Sequence, residues 1–133
     1  MPRADQIYHK RPDLEKAFYY AQACKVGNTL YVSGCVSWDA EGNIIGAGDM
    51  KAQVEQVYTD LKETLEANGA TLQNVLKETV FTTDMDALVA NNDVRIRFYQ
   101  EAGSAPPAAT WIGCTRLAAP EMMLEIECIA LLD

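Results

Sequence analysis

The sequence has a single histidine, His9, and its four cysteines (Cys24, Cys35, Cys114, Cys128) form no Cys-x-x-Cys pair. Neither a zinc site nor a catalytic Cys/His pair is suggested, a His-rich metal centre is excluded, and the cysteines read as reduced, packed thiols. No apolar run approaches the roughly 20 residues that a membrane span requires. The polar start Met1-Pro2-Arg3-Ala4-Asp5-Gln6 lacks the apolar region of a signal peptide, so a cytoplasmic protein that engages no membrane is expected. Basic residues are also scarce: 11 Lys and Arg stand against 19 Asp and Glu, for a net charge of -8, and no basic cluster is longer than a pair. Binding to phosphate backbones relies on local cationic charge, so nucleic acid is excluded as a partner. No internal repeat is visible.

What is present suits one domain over residues 1–133, large enough to bury a core without a metal or disulfide. Residues 1–17, with Pro2 and Pro12, read as an irregular N-terminal arm. The runs Phe18–Cys24 and Leu30–Val36 read as two strands around a Gly27-Asn28 turn. Gly34 inside the second run marks a bulge, a close approach by another group, or a packing glycine. Between Trp38 and Gly48 the glycines and Asn43 predict turns, with a short strand at Ile44-Ile45. From Asp49 the period changes. Met50, Val54, Val57, Tyr58, Leu61 and Leu65 form one helical stripe, with Asp49 as N-cap and Asn68-Gly69 as stop. Val75–Thr83 is rich in strand formers, and Asp84 or Asp86 caps a second helix to about Gln100. On that helix Leu88, Asn92, Arg95 and Tyr99 share a face whose polar members do not suit a simple core stripe.

The C-terminal end reads as two strands, Pro106–Leu117 and Met122–Leu131, joined by a short turn. In the second, Leu124, Ile126, Cys128 and Ala130 lie on one face, while Met123, Glu125, Glu127, Ile129 and Leu131 lie on the other. Two carboxylates thus interrupt an apolar face. Isolated ionised carboxylates are costly to bury, which places at least one in solvent, in a pair, or in a functional cleft. The element order predicts an α+β domain, a single mixed sheet with two helices on one face. The other face then needs a partner, so a homo-oligomer follows.

The ordered set Tyr20-Ala21-Gln22, Gly27-Asn28, Ser33-Gly34, Gln53, Asn68-Gly69, Thr79–Asp84, Asn92 with Phe98-Tyr99, Pro107-Ala108, Arg116-Leu117 and Leu124–Ala130 resembles the Rid, or YjgF-like, family of small imine deaminases. That resemblance implies a chorismate-mutase-like fold and a homotrimer with clefts between subunits. It also implies cofactor-independent hydrolysis of enamines or imines to keto compounds and ammonia. By position it makes Glu125 the residue that handles water and Arg116 a structural residue. It makes Tyr20, Ser33, Gly34, Asn92, Ala109 and Trp111 the substrate-binding set. Ala109, however, stands where the family has an arginine that pairs with a substrate carboxylate, and Trp111 where a small residue is usual. Losing such a bidentate contact is worth about 2–5 kcal/mol, roughly 30-fold to several-thousand-fold in binding. An altered substrate preference follows, with Arg95 as a candidate compensating cation; the competing assignment is a surface arginine paired with Asp93 or Glu101. The alternative for the whole chain is a non-catalytic, metabolite-binding trimer of the same fold.

Overall fold

The computed structural model describes residues 4–133. In chain order the elements are β1 (Gln6–Tyr8), α1 (Pro12–Phe18), β2 (Ala23–Val26), β3 (Thr29–Cys35) and α2 (Met50–Ala67). A 3-10 turn (Leu72–Asn74), β4 (Val75–Thr82), α3 (Met85–Ala90), α4 (Asn92–Glu101), β5 (Ala108–Gly113) and β6 (Leu124–Leu131) follow. The strands make one six-stranded sheet in the order β1-β2-β3-β6-β4-β5. All neighbours are antiparallel except β4 and β5. The α+β mixed sheet expected from the element order is observed.

Helix α2 carries the stripe read from the sequence: Met50, Val54, Val57, Tyr58, Leu61 and Leu65 are all buried. Its start is capped by the Asp49 carboxylate, which accepts from the Ala52 N–H at 3.0 Å. These side chains join Leu30 and Val32 of β3 and Leu124, Ile126, Cys128 and Ala130 of β6 in one core. The alternation along β6 is as expected, and it fixes the register, because a one-residue slip would turn this apolar set outward. Gln53, fully buried on α2, donates to the carbonyls of Gly46 and Glu121 and accepts from the Met123 N–H. It thereby ties the segment that enters β6 to the helix.

The structure corrects five sequence expectations. The arm 1–17 is not irregular where it is described (residues 1–3 lie outside the described residues): it contains β1 and α1. Pro12 occupies the first turn of α1, where its missing N–H costs nothing, so it starts a helix instead of breaking one. The buried Glu15 carboxylate reaches back to the N–H groups of Lys10 and Arg11, at 3.0 and 2.5 Å, and so caps that helix. Phe18–Cys24 is accordingly no strand: Phe18 ends α1, Tyr19 caps it in the left-handed region at φ 63°, and the strand starts only at Ala23. At Ile44-Ile45 there is a single bridge, between Ile44 and Trp38. The second helix is two. Asn91 ends α3 by donating its side-chain amide to the Ala87 carbonyl, and in Asn91-Asn92-Asp93 such side chains compete with the helical ladder. Finally, β5 and β6 are not a hairpin, because β4 lies between them, parallel to β5 and antiparallel to β6.

Candidate functional site

The sheet divides the sequence-predicted site residues between its two faces. Glu125 pairs with Phe81, and Glu127 with Thr79, in register across β6 and β4, on the face away from α2. The same face carries Tyr31, Ile129 and Leu131, all substantially exposed. Around Glu125 a cleft of about 330 Å³ opens, and Tyr20, Ser33, Gly34, Trp38 and Met122 line it. Four sequence-predicted residues (Tyr20, Ser33, Gly34, Glu125) thus meet in one place.

Local structure explains their arrangement. The β3–β6 register breaks between Val32 and Cys35, so Ser33 and Gly34 bulge off the ladder. A Cβ built on Gly34 would lie 2.5 Å from the Glu125 Cδ, so glycine is what admits the carboxylate here. Of the readings open for Gly34, both the bulge and the close approach hold. The Ser33 hydroxyl donates to the Ala21 carbonyl at 2.5 Å, which fastens the bulge to the segment carrying Tyr20. Burial, followed by the negative charge of Glu127, raises the proton affinity of Glu125 above that of an ordinary glutamate. Burial and the nearby Glu15 carboxylate push the Tyr20 phenol up to about 12, so it stays a neutral donor. Cys35, behind the bulge, is a buried core thiol whose proton is held by burial and by Asp60.

The other predicted residues lie on the helix-covered face and at the β5 edge. Ala109 pairs with Glu78 and Trp111 with Val80, both of which point toward the helices. Ala109 is exposed, while Trp111 is half-buried against the core. Asn92 opens α4, and its buried side-chain oxygen has no partner among the described residues. Arg95 is not the surface arginine paired with Asp93 or Glu101: its Nε donates to the fully buried Glu78 carboxylate at 2.5 Å. The other Glu78 oxygen accepts from the hydroxyls of Tyr58 (3.0 Å) and Tyr99 (2.8 Å). The guanidinium lies 5.3 Å from the Tyr99 ring centre and 5.7 Å from that of Trp111. Arg95 therefore adjoins the Ala109 corner, but its charge is already balanced.

Sequence reasoning missed Glu78, the centre of this network, and the aromatic walls Phe18 and Trp38 of the cleft. A signal for Glu78 was available, since period-two alternation puts it on the same face as Val80 and Thr82. It also missed a second buried cluster. There the Asp60 carboxylate of α2 binds Lys10 at 2.6 Å and Arg11 at 2.9 Å, anchoring the start of α1. Among the described residues no group of three His, Cys, Asp or Glu side chains could hold a metal, and no helix is long and apolar enough to cross a membrane.

A single mixed sheet with helices on one face, and an acid seated against a strand bulge on the other, defines a small α+β protein with an acid-lined cleft. Comparison with known proteins gives that class its family. The profile described as Endoribonuclease L-PSP matches residues 10–132. A RutC family protein of Pyrococcus horikoshii is 36% identical over 84% of this chain and 85% of its own. A 2-iminobutanoate/2-iminopropanoate deaminase of Dermatophagoides farinae is 32% identical over 86% of each chain. The crystal structure of RidA from an Antarctic Psychrobacter superposes with a TM-score of 0.75 at 35% identity, covering 85% of this chain and 88% of the other. The chain belongs to this Rid, or YjgF-like, family.

Proposed function

We propose that the protein is a cofactor-independent deaminase that hydrolyses reactive enamines or imines to keto compounds and ammonia. Its clefts would lie between the subunits of a homotrimer in the cytoplasm. The observation that carries the chemistry is Glu125, an acid of raised proton affinity seated against Gly34 in a cleft shared with Tyr20 and Ser33. Assembly is supported by the division of the site residues: Glu125 and Ala109 lie on opposite faces of one sheet, so a second copy is needed to bring both kinds of residue to one ligand. The open apolar face and the unpaired edge of β5 supply surfaces for it. Four unpaired thiols suit a reducing compartment.

In the proposed reaction an enamine first takes a proton from solvent on carbon to become the iminium ion, the form in which an imine also reacts here. Ionised Glu125 orients a water and accepts its proton as the oxygen bonds to the imine carbon and the C=N π pair moves to nitrogen. Glu125 returns that proton to the nitrogen, the C–N bond breaks toward nitrogen, and the carbinol oxygen closes the carbonyl. Ammonia leaves, carrying the last proton as ammonium. The Tyr20 hydroxyl is a donor for an oxygen or nitrogen that develops charge on this path. RNA cleavage is disfavoured by the charge of -8 and the missing basic cluster.

The direct test is ammonia release from imines generated in situ, compared with buffer. Absence of acceleration together with ligand-induced stabilisation would replace the deaminase with the non-catalytic binding trimer, the reading that Ala109 favours. Two variants probe the acid. Glu127→Gln removes a negative neighbour that raises the Glu125 pKa, so the acidic limb of the kcat/KM profile should shift to lower pH. An unchanged limb would detach that limb from Glu125. Gly34→Ala should push the flexible carboxylate aside while leaving the backbone in place. Activity should fall about 100-fold, as expected for misplacement by roughly 1 Å, while the urea midpoint stays nearly constant.

A further inference from the structure

We infer that the substrate of this cleft is a cationic iminium ion without a carboxylate, of the kind formed when a primary amine is oxidised, and not a 2-imino acid. The inference rests on the deaminase reading and names its substrate class. Three observations carry it.

First, the one residue of a charged type that lines the cleft is an acid. Glu125 lines the cleft, no lysine or arginine among the described residues does, and Tyr20 remains a neutral phenol. Glu127 adds a second negative charge on the same sheet face. Second, the partly buried cations beside the cleft are committed. Arg11 lies 5.7 Å from the Trp38 ring centre, but its guanidinium is bound to Asp60 and to the carbonyls of Trp38 and Asp39. Lys10 is held by Asp60 and Glu63. At the β5 corner, which a neighbouring copy would present, Ala109 offers no charge, Arg95 is neutralised by the buried Glu78, and Lys77 is hydrogen-bonded to the Thr110 hydroxyl on the opposite face of the sheet from Ala109. Arg116 is exposed and does not line the cleft. Third, the walls are the aromatic rings of Phe18, Tyr20 and Trp38. Aromatic faces attract cations, and the attraction strengthens when water is excluded. A substrate carboxylate would meet Glu125 without a counter-ion, whereas an iminium meets an opposite charge and ring faces.

The reaction is R–CH=NH2⁺ + H2O → R–CHO + NH4⁺, balanced in atoms and charge, with Glu125 carrying the proton between oxygen and nitrogen. The upstream reaction must be an amine oxidation, and the product is an aldehyde or ketone in place of a keto acid.

Matched substrate pairs test this with the full-length protein. An amine oxidase generates the imine of phenethylamine or isoamylamine, and an amino-acid oxidase that of phenylalanine or leucine. Each pair then differs only in the carboxylate. Ammonia release is followed against buffer, with Glu125→Gln as a blank. The expected result is a kcat/KM for the amine-derived imine at least roughly 30-fold above that of its partner, matching the smallest effect of a missing bidentate cation. Ala109→Arg should narrow or reverse that ratio, and Arg116→Ala should leave it unchanged. Equal or better turnover of the 2-imino acids overturns the substrate assignment while leaving the deaminase standing, as does a 2-imino acid rate that depends on Arg116. No acceleration of either member of a pair rejects both.

Discussion

Replacing Glu125 with glutamine is expected to lower kcat for ammonia release by about 100- to 10,000-fold, the range spanned by one general acid–base group, with KM changing far less. Glutamine keeps the shape that fits against Gly34 but cannot accept the proton of the attacking water. Stability should move the other way. The folded-state pKa of Glu125 lies above its unfolded value, so folding favours the protonated acid. The stabilisation this brings is complete below the unfolded glutamate pKa and is lost as pH rises through the folded value. Once pH exceeds that folded value, the wild-type protein carries an ionised, partly buried carboxylate beside Glu127, and the amide variant does not. Its Tm at pH 7 should therefore equal or exceed that of the wild type, with the difference shrinking at pH 4. Steady-state kinetics and thermal denaturation at both pH values check this. Full activity in the variant would remove Glu125 from the mechanism, and a large fall in Tm would mark it as a structural residue.

The way β6 combines an apolar core face with an acidic open face could be read from the sequence, because the side-chain period of a strand is two and a buried charge is costly. The α2 stripe was equally plain, since its six apolar positions and its Asp49 cap agree with one another. The features that escaped were those decided by partners distant in the chain. Pro12 read as a breaker because the Glu15 carboxylate that caps α1, and the Asp60 cluster that anchors it, are invisible to a local window. The three aromatics Phe18-Tyr19-Tyr20 favour a strand by propensity, yet they lie at a helix end, where tertiary context prevails.

The same limit applied to the site. Tyr20, Ser33, Gly34 and Glu125 come from three separate segments, and the pairing of β3 with β6, with the Ser33–Ala21 hydrogen bond, brings them together. Register also separates Ala109 and Trp111 from them: both match residues of β4 that point toward the helices, and Glu125 matches one that points away. A list of site residues in one dimension holds no information about faces, so their division between the two faces emerged only with the sheet in hand. Arg95 illustrates the point. Its neighbours along α4 suggested Asp93 or Glu101, but its actual partner lies 17 residues earlier, on β4.

Arg95→Ala should cost about 3–5 kcal/mol of folding stability, the range for removing one member of a buried ion pair. Glu78 is fully buried, and three side chains from two helices converge on it: Tyr58 from α2, and Arg95 and Tyr99 from α4. Without the guanidinium, the carboxylate keeps two hydroxyl donors but loses its counter-charge, and in that setting it must either take up a proton or strain the packing of α4 on the sheet. The exposed Arg97, paired with Glu55 and Glu101 on the outer side of the same helix, is the control: its replacement by alanine should cost no more than about 1 kcal/mol. Urea denaturation of the two variants separates the cases. A second comparison isolates the orphaned charge from lost packing: Arg95→Met combined with Glu78→Gln should recover much of the loss, because no unpaired ion is left inside. If Arg95→Ala cost less than about 1 kcal/mol, the pair would be a solvent-screened contact, and Arg95 would then be free to meet an anion at the Ala109 corner. The stability of this one variant thus bears on substrate choice as well: the more firmly Arg95 is held by Glu78, the less charge the cleft can offer a carboxylate.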